Sequence, residues 1–230
     1  MKNLVLLFFL LCSNKWILAS DRESKGVIGL DYVGIGFIHG WNDDLDASHN
    51  ELDISTRISP YNFLDFVANV GFAVSDIEGG PNNIYFDGWG NQFTLPKHNR
   101  WSFGGQLGLD LHHEFHVSND FSIDPFLGLH VPLDYYFETE YNVNSASRVG
   151  LGFSIGSEFL FFEKFSVIPS YSITKYSYSQ ENGGSFTSDA LDSFAIQFNY
   201  FLSNSFISLC YDHELDRKWR AWSFKYNFGY

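Results

Sequence analysis

The chain has 230 residues, 45% hydrophobic and 19% aromatic, with 14 lysines and arginines against 27 aspartates and glutamates for a net charge of −13. That apolar mass excludes a disordered chain, and the acidity excludes the basic surface that neutralises phosphates, so nucleic acid is not an expected partner. Abundant aromatics and 20 glycines, with little helix-forming chemistry, predict one all-β domain.

Residues 1–19 read as an export signal. Lys2 precedes the apolar stretch Leu4 to Cys12, a polar break follows at Ser13 to Lys15, and Ala19 supplies the small residue of a cleavage site. The apolar core is too short to cross a bilayer as a helix, which needs roughly 20 residues. Cleavage after Ala19 leaves a domain of residues 20–230 with 12 basic against 27 acidic side chains, a charge of −15. Cys12 follows Leu11, which does not suit lipid attachment, and Cys210 is then the single mature cysteine, so no internal disulfide is expected.

After the signal, period-two alternation dominates. Turn residues divide it into about ten strands: Gly26 to Trp41, His49 to Ser59, Phe63 to Ser75, Asn99 to Val117, Phe121 to Thr139, Ser147 to Phe161, Phe165 to Tyr178, Ala190 to Leu202, Ser205 to His213 and Lys218 to Tyr230. Short connectors (Pro60 to Asn62, Ser118 to Asp120, Phe162 to Lys164, Ser203 to Asn204) alternate with longer polar ones (Asn42 to Ser48, Asp76 to His98, Glu140 to Ala146, Ser179 to Asp189, Glu214 to Arg217). That is an up-and-down meander. Eight strands result if the first segment or Asp76 to His98 absorbs a hairpin.

The last strand is the clearest. Trp222, Phe224, Tyr226, Phe228 and Tyr230 share one face, and Ala221, Ser223, Lys225, Asn227 and Gly229 the other. Aromatics in such numbers overfill the bore of a small barrel but fit outside it against lipid, while Gly104, Gly108, Gly150, Gly152 and Gly156 suit a narrow interior. A soluble, lipocalin-like barrel is the competing arrangement. The export signal, the meander and the aromatic ending Trp222 to Tyr230 resemble a small Gram-negative outer-membrane β-barrel of the OmpA, OmpW or opacity-protein type, over residues 26–230. The resemblance implies a transmembrane up-and-down antiparallel barrel and a terminal strand read by the barrel assembly machinery. Periplasmic chaperones, outer-membrane lipid and lipopolysaccharide are the partners it implies, with the chain in the outer membrane.

Alternation turns a polar set inward: Asp53, Arg57, Asp110, His112, Glu114, Arg148, Glu158, Asp212 and Lys225, expected to pair as a hydrogen-bonded network that largely fills the lumen. Asp110, His112, Glu114 and His116 are also a weak metal signal, since alternate strand residues stand roughly 6.8 Å apart and need help from His130 or Asp124. No metal, cofactor or catalytic residue is assigned. Asp212 and His213 invite comparison with omptin-type proteases, but adjacent strand residues point to opposite faces. A lipid A-modifying enzyme needs a Ser/His/acid constellation, and no spacing singles out a nucleophile. Tyr135, Tyr136, Tyr176, Tyr178, Trp41 and Trp219 lie near strand ends, as an interfacial aromatic girdle or a sugar-binding rim. The connector holding Tyr85, Phe86, Trp89 and Phe93 is long and aromatic enough to carry binding. The expected role is structural, adhesive or surface-binding through external loops, with an outer-membrane enzyme or a small-solute pore as alternatives.

Overall fold

An outward apolar residue followed by an inward small or polar one, repeated, curls this chain into a wall. The computed structural model describes residues 26–44, 47–77, 84–86, 92–94, 98–137, 146–180, 185–216 and 218–229. Among the described residues thirteen strands follow in order: β1 (Tyr32–Asn42), β2 (Ala47–Tyr61), β3 (Leu64–Ile77), β4 (Ile84–Phe86), β5 (Gln92–Thr94), β6 (His98–His112), β7 (Phe115–Ser118), β8 (Phe121–Tyr136), β9 (Ala146–Phe161), β10 (Phe165–Gln180), β11 (Ser185–Phe201), β12 (Ser205–Glu214) and β13 (Trp219–Gly229). All except β4, β5 and β7 form one closed antiparallel barrel of ten strands, with β13 pairing β1 and β6 pairing β8. The short hairpin β4–β5 is a separate sheet in the connector after β3, so the eight-strand alternative does not hold.

The pairing registers determine the bore. From Phe37, cross-strand partners lead one way through Leu52, Phe72 and Phe103 to Tyr135 on β8. The other way they lead through Phe224, Leu209, Phe198, Val167 and Phe159 to Ile123 on β8. The two arrivals differ by 12 residues, which is the shear number. Ten strands with that shear tilt at about 40° and give a backbone radius of about 10 Å, a bore that side chains can largely fill.

Short turns and long connectors sort to opposite ends. At the short-turn end, Phe162 and Glu163 both have φ 54°, and the Lys164 amide donates to the Phe161 carbonyl at 3.1 Å, the left-handed pair a two-residue hairpin requires. Three expected strands need correction. Ala190 to Leu202 starts earlier, as β11 at Ser185, because it goes on pairing β10 up to Ser179. Asn99 to Val117 is not one strand: it breaks at His113 and Glu114, after which β7 pairs β8 alone beyond the wall. The first strand starts at Tyr32 rather than Gly26, because Gly26–Asp31 turns into the barrel.

Burial is inverted relative to a water-soluble barrel. Phe153 is 63% exposed and Leu127 60%, whereas Asp65 is 0% exposed and Glu158 2%. Trp222, Phe224 and Phe228 stand outward as expected, and Tyr230 lies outside the described residues. Cross-strand rings such as Phe72 with Trp101 (5.2 Å) and Phe121 with Phe161 (5.0 Å) tile this outer face. So large a continuous apolar surface is compatible with lipid and not with water.

Inward glycines leave room for the long polar side chains of neighbouring strands. A Cβ on Gly36 would lie 2.5 Å from Lys225 Cγ and 2.7 Å from Asp53 Oδ1. Gly36→Val should therefore displace the Lys225–Asp53 pair and cost about 1–3 kcal/mol by overpacking. The measurement is the urea midpoint of the barrel in lipid vesicles; a midpoint equal to that of the outward substitution Ile35→Val would contradict the packing described.

Candidate functional site: the barrel lumen

The base of the lumen, at the short-turn end, is built around the chain's own first described residues. The Leu30 amide donates to the Val27 carbonyl at 3.3 Å, closing a turn whose third residue, Gly29, has φ 78°. That left-handed conformation suits glycine at this position. The turn aims three successive amides at carboxylates: Val27 N–H to Glu158 Oε1 (2.9 Å), Ile28 N–H to Glu158 Oε2 (2.9 Å) and Gly29 N–H to Asp65 Oδ2 (2.8 Å). Ser59 N–H donates to Asp31 Oδ1 at 2.6 Å, anchoring the end of the turn to β2. The side chains of Val27 and Ile28 pack with Ile168 and Phe206 in a small buried apolar core, flanked by Leu30, Tyr32, Phe126 and Phe201.

Beside this turn lies a charged cluster. Arg57 reaches Asp65 Oδ2 with one guanidinium nitrogen (2.5 Å) and Asp110 Oδ2 with another (2.9 Å). His112 lies between Asp124, 3.0 Å from Nδ1, and Asp65, 3.4 Å from Nε2. A second, neutral network links Asn199 to Ser166 and Ser208, and Asn227 to Ser208 and the Phe206 carbonyl. Buried carboxylates persist here because cations or backbone amides answer them.

Above the base Asp53 stays buried, while Lys225 is partly exposed. Lys225 donates to Asp53 at 2.7 Å, and His130 Nε2 lies 2.9 Å from the Thr174 hydroxyl. Toward the long-connector end, Arg148 pairs with Asp134 and stacks 4.5 Å from the Tyr176 ring, while Arg100 lies 4.3 Å over Tyr136. These alternating cations and rings line one side of the lumen mouth.

The expected inward set is largely found where alternation put it: Asp53, Arg57, Asp110, His112, Arg148, Glu158, Asp212 and Lys225 lie on lumen-facing rows. Its pairing differs. Glu158 is answered by two backbone amides rather than by Arg57, Arg148 or Lys225. Glu114 leaves the cluster at the strand break, its carboxylate 3.7 Å from an exposed His116, so neither joins Asp110 and His112. Asp65 and Asp134 join the inward set; Asp65 alternates with the outward Phe66 and is legible on that ground. Among the described residues no group of three or more potential ligands could hold a metal ion.

Asp212 faces inward beside Ala195 and Ala221, whereas His213 faces outward beside Phe194, so they do not converge on one water. The aromatic set splits too. Trp41 and Tyr135 fall on outward rows, while Tyr136, Tyr176, Tyr178 and Trp219 fall on lumen-facing ones, so these four belong to no outer girdle. Trp89 lies outside the described residues; Tyr85, Phe86 and Phe93 belong to β4 and β5, described here by backbone pairing alone.

No protein-family model matches the chain, and no curated protein matches it by sequence. Solved structures match by shape. An outer membrane channel from Pseudomonas putida F1 aligns with a TM-score of 0.51 at 9% identity, covering 92% of this chain and 100% of that one. The outer membrane protease OmpT from Escherichia coli aligns at 0.43 and 5% identity, covering 87% and 96%. Ail, the attachment invasion locus protein of Yersinia pestis, aligns at 0.36 and 12% identity, also covering 87% and 96%. With its closed ten-strand wall, outward apolar face and polar lumen, this chain has the fold of an outer-membrane β-barrel.

Proposed function

We propose that residues 20–230, exported and cleaved after Ala19, form an integral outer-membrane barrel that acts at the cell surface through its long connectors, in a structural or adhesive role rather than as a general porin. The observation that carries this reading is the sealed base, where Val27, Ile28 and Phe206 are at most 2% exposed and close the end opposite the connectors. A narrow bore closed in this way does not suit free diffusion, and loops on a rigid wall are where binding concentrates. The connector containing Tyr85, Phe86, Trp89 and Phe93 is the first place to seek a ligand. Lipopolysaccharide and outer-membrane lipid are the partners of the apolar outer face, and the aromatic row ending at Tyr230 is the segment for the assembly machinery and its chaperones to recognise.

Orientation is tested on whole cells in a Cys210→Ser background. An impermeant maleimide should label Asp44→Cys in the first connector, and should reach Asn204→Cys in a short turn only after the outer membrane is permeabilised. The reverse pattern, or a soluble periplasmic product, would overturn the reading.

A further inference from the structure

The most completely sealed layer of the lumen is one that the chain supplies from outside the wall. At the base Asp65, Glu158, Asn199, Asn227 and Phe206 are buried to 2% exposure or less and the Asp110 side chain is 13% exposed, while higher up Lys225, over the buried Asp53, is 22% exposed and Arg148 24%. Val27 and Ile28 contribute two of the four side chains in the apolar core of the sealed layer. Neither belongs to a strand: pairing of β1 with β13 and β2 starts at Tyr32, so the ten-strand ladder closes without them. Three amide-to-carboxylate bonds help to hold the segment, and it fits closely, since a Cβ on Gly26 would lie 2.4 Å from Glu158 Oε2.

We propose that Gly26–Leu30 is a plug that holds shut a passage for small cations. The cation preference follows from what the plug covers. When the segment leaves, Glu158 and Asp65 lose their amide donors and face the opened base together with Asp110 and Asp124, four carboxylates against the guanidinium of Arg57 and the imidazole of His112. A narrow ring with that excess of negative charge admits cations and repels anions. The plug is releasable in a way a wall strand is not, because its three amide-to-carboxylate bonds run to side chains and its withdrawal exposes no sheet edge.

The experiment is planar-bilayer recording of the full mature chain purified from outer membranes, in a potassium chloride gradient. Wild type should open rarely. Val27→Asp/Ile28→Asp, which sets two carboxylates in the apolar core with Ile168 and Phe206, should open often and reverse near the potassium potential. Glu158→Gln, which weakens two of the three charge-assisted bonds, should raise open time by on the order of tenfold per bond weakened, with a weaker cation preference. A double variant that migrates as a heat-modifiable barrel yet stays as silent as wild type overturns the proposal, as does anion selectivity or a wild type that opens as often as the variants. Should the double variant fail to fold, Glu158→Gln decides by the same criterion. Surface labelling of Asp44→Cys and Asn204→Cys does not depend on the plug, so failure of the plug and failure of the surface reading are told apart.

Discussion

Arg57→Met should destabilise the barrel by about 3–5 kcal/mol, the cost of removing one partner from a buried ion pair. The side chain is 11% exposed and forks between Asp65 and Asp110, and Asp65 is completely buried. Its loss removes the guanidinium that Asp65 and Asp110 share, and Asp65 must then rely on Gly29 N–H and on His112. The measurement is the urea midpoint for unfolding from lipid vesicles, read by tryptophan fluorescence and by gel migration of unheated samples. Arg57→Lys should recover only part of the loss, because an ammonium does not reproduce the planar fork that reaches both acids. Arg57→Met/Asp110→Asn should be more stable than Arg57→Met alone. A wild-type midpoint for Arg57→Met would show that the charged cluster does not hold the base together.

Phe224→Arg should cost roughly 2–4 kcal/mol if its row lies near the bilayer midplane, and less toward either interface. Phe224 is 52% exposed on the outer face, paired between Phe37 and Leu209, with apolar rows around it. Hydrocarbon cannot solvate a guanidinium there, and nothing beside it offers a counter-charge. The yield of heat-modifiable protein in outer-membrane fractions should fall, with more periplasmic degradation, while Phe224→Leu should assemble normally. If Phe224→Arg assembles as well as Phe224→Leu, this face does not meet lipid.

Strand rows, turns and the direction of each side chain were legible in the sequence because period-two alternation is a local property, and a strand buried on one side and bathed in lipid on the other has one register that satisfies both. Hence β8, β9, β10, β12 and β13 fall close to their expected bounds, and Asp53, Arg57, His112, Arg148 and Lys225 face inward as read. Which inward charges meet was not legible. Partners such as Arg57 and Asp110 are far apart along the chain and are joined by the registers of β2 with β3 and of β3 with β6, which are properties of the assembled sheet. The plug was hidden for a similar reason. Val27 and Ile28 are adjacent apolar residues, which cannot both point outward from a strand, so the break in alternation was visible at Gly26 to Leu30. Only the tertiary structure decided that the segment turns inward, because its place depends on two carboxylates on distant strands, Glu158 and Asp65, that need hydrogen-bond donors and find them in the backbone of the turn.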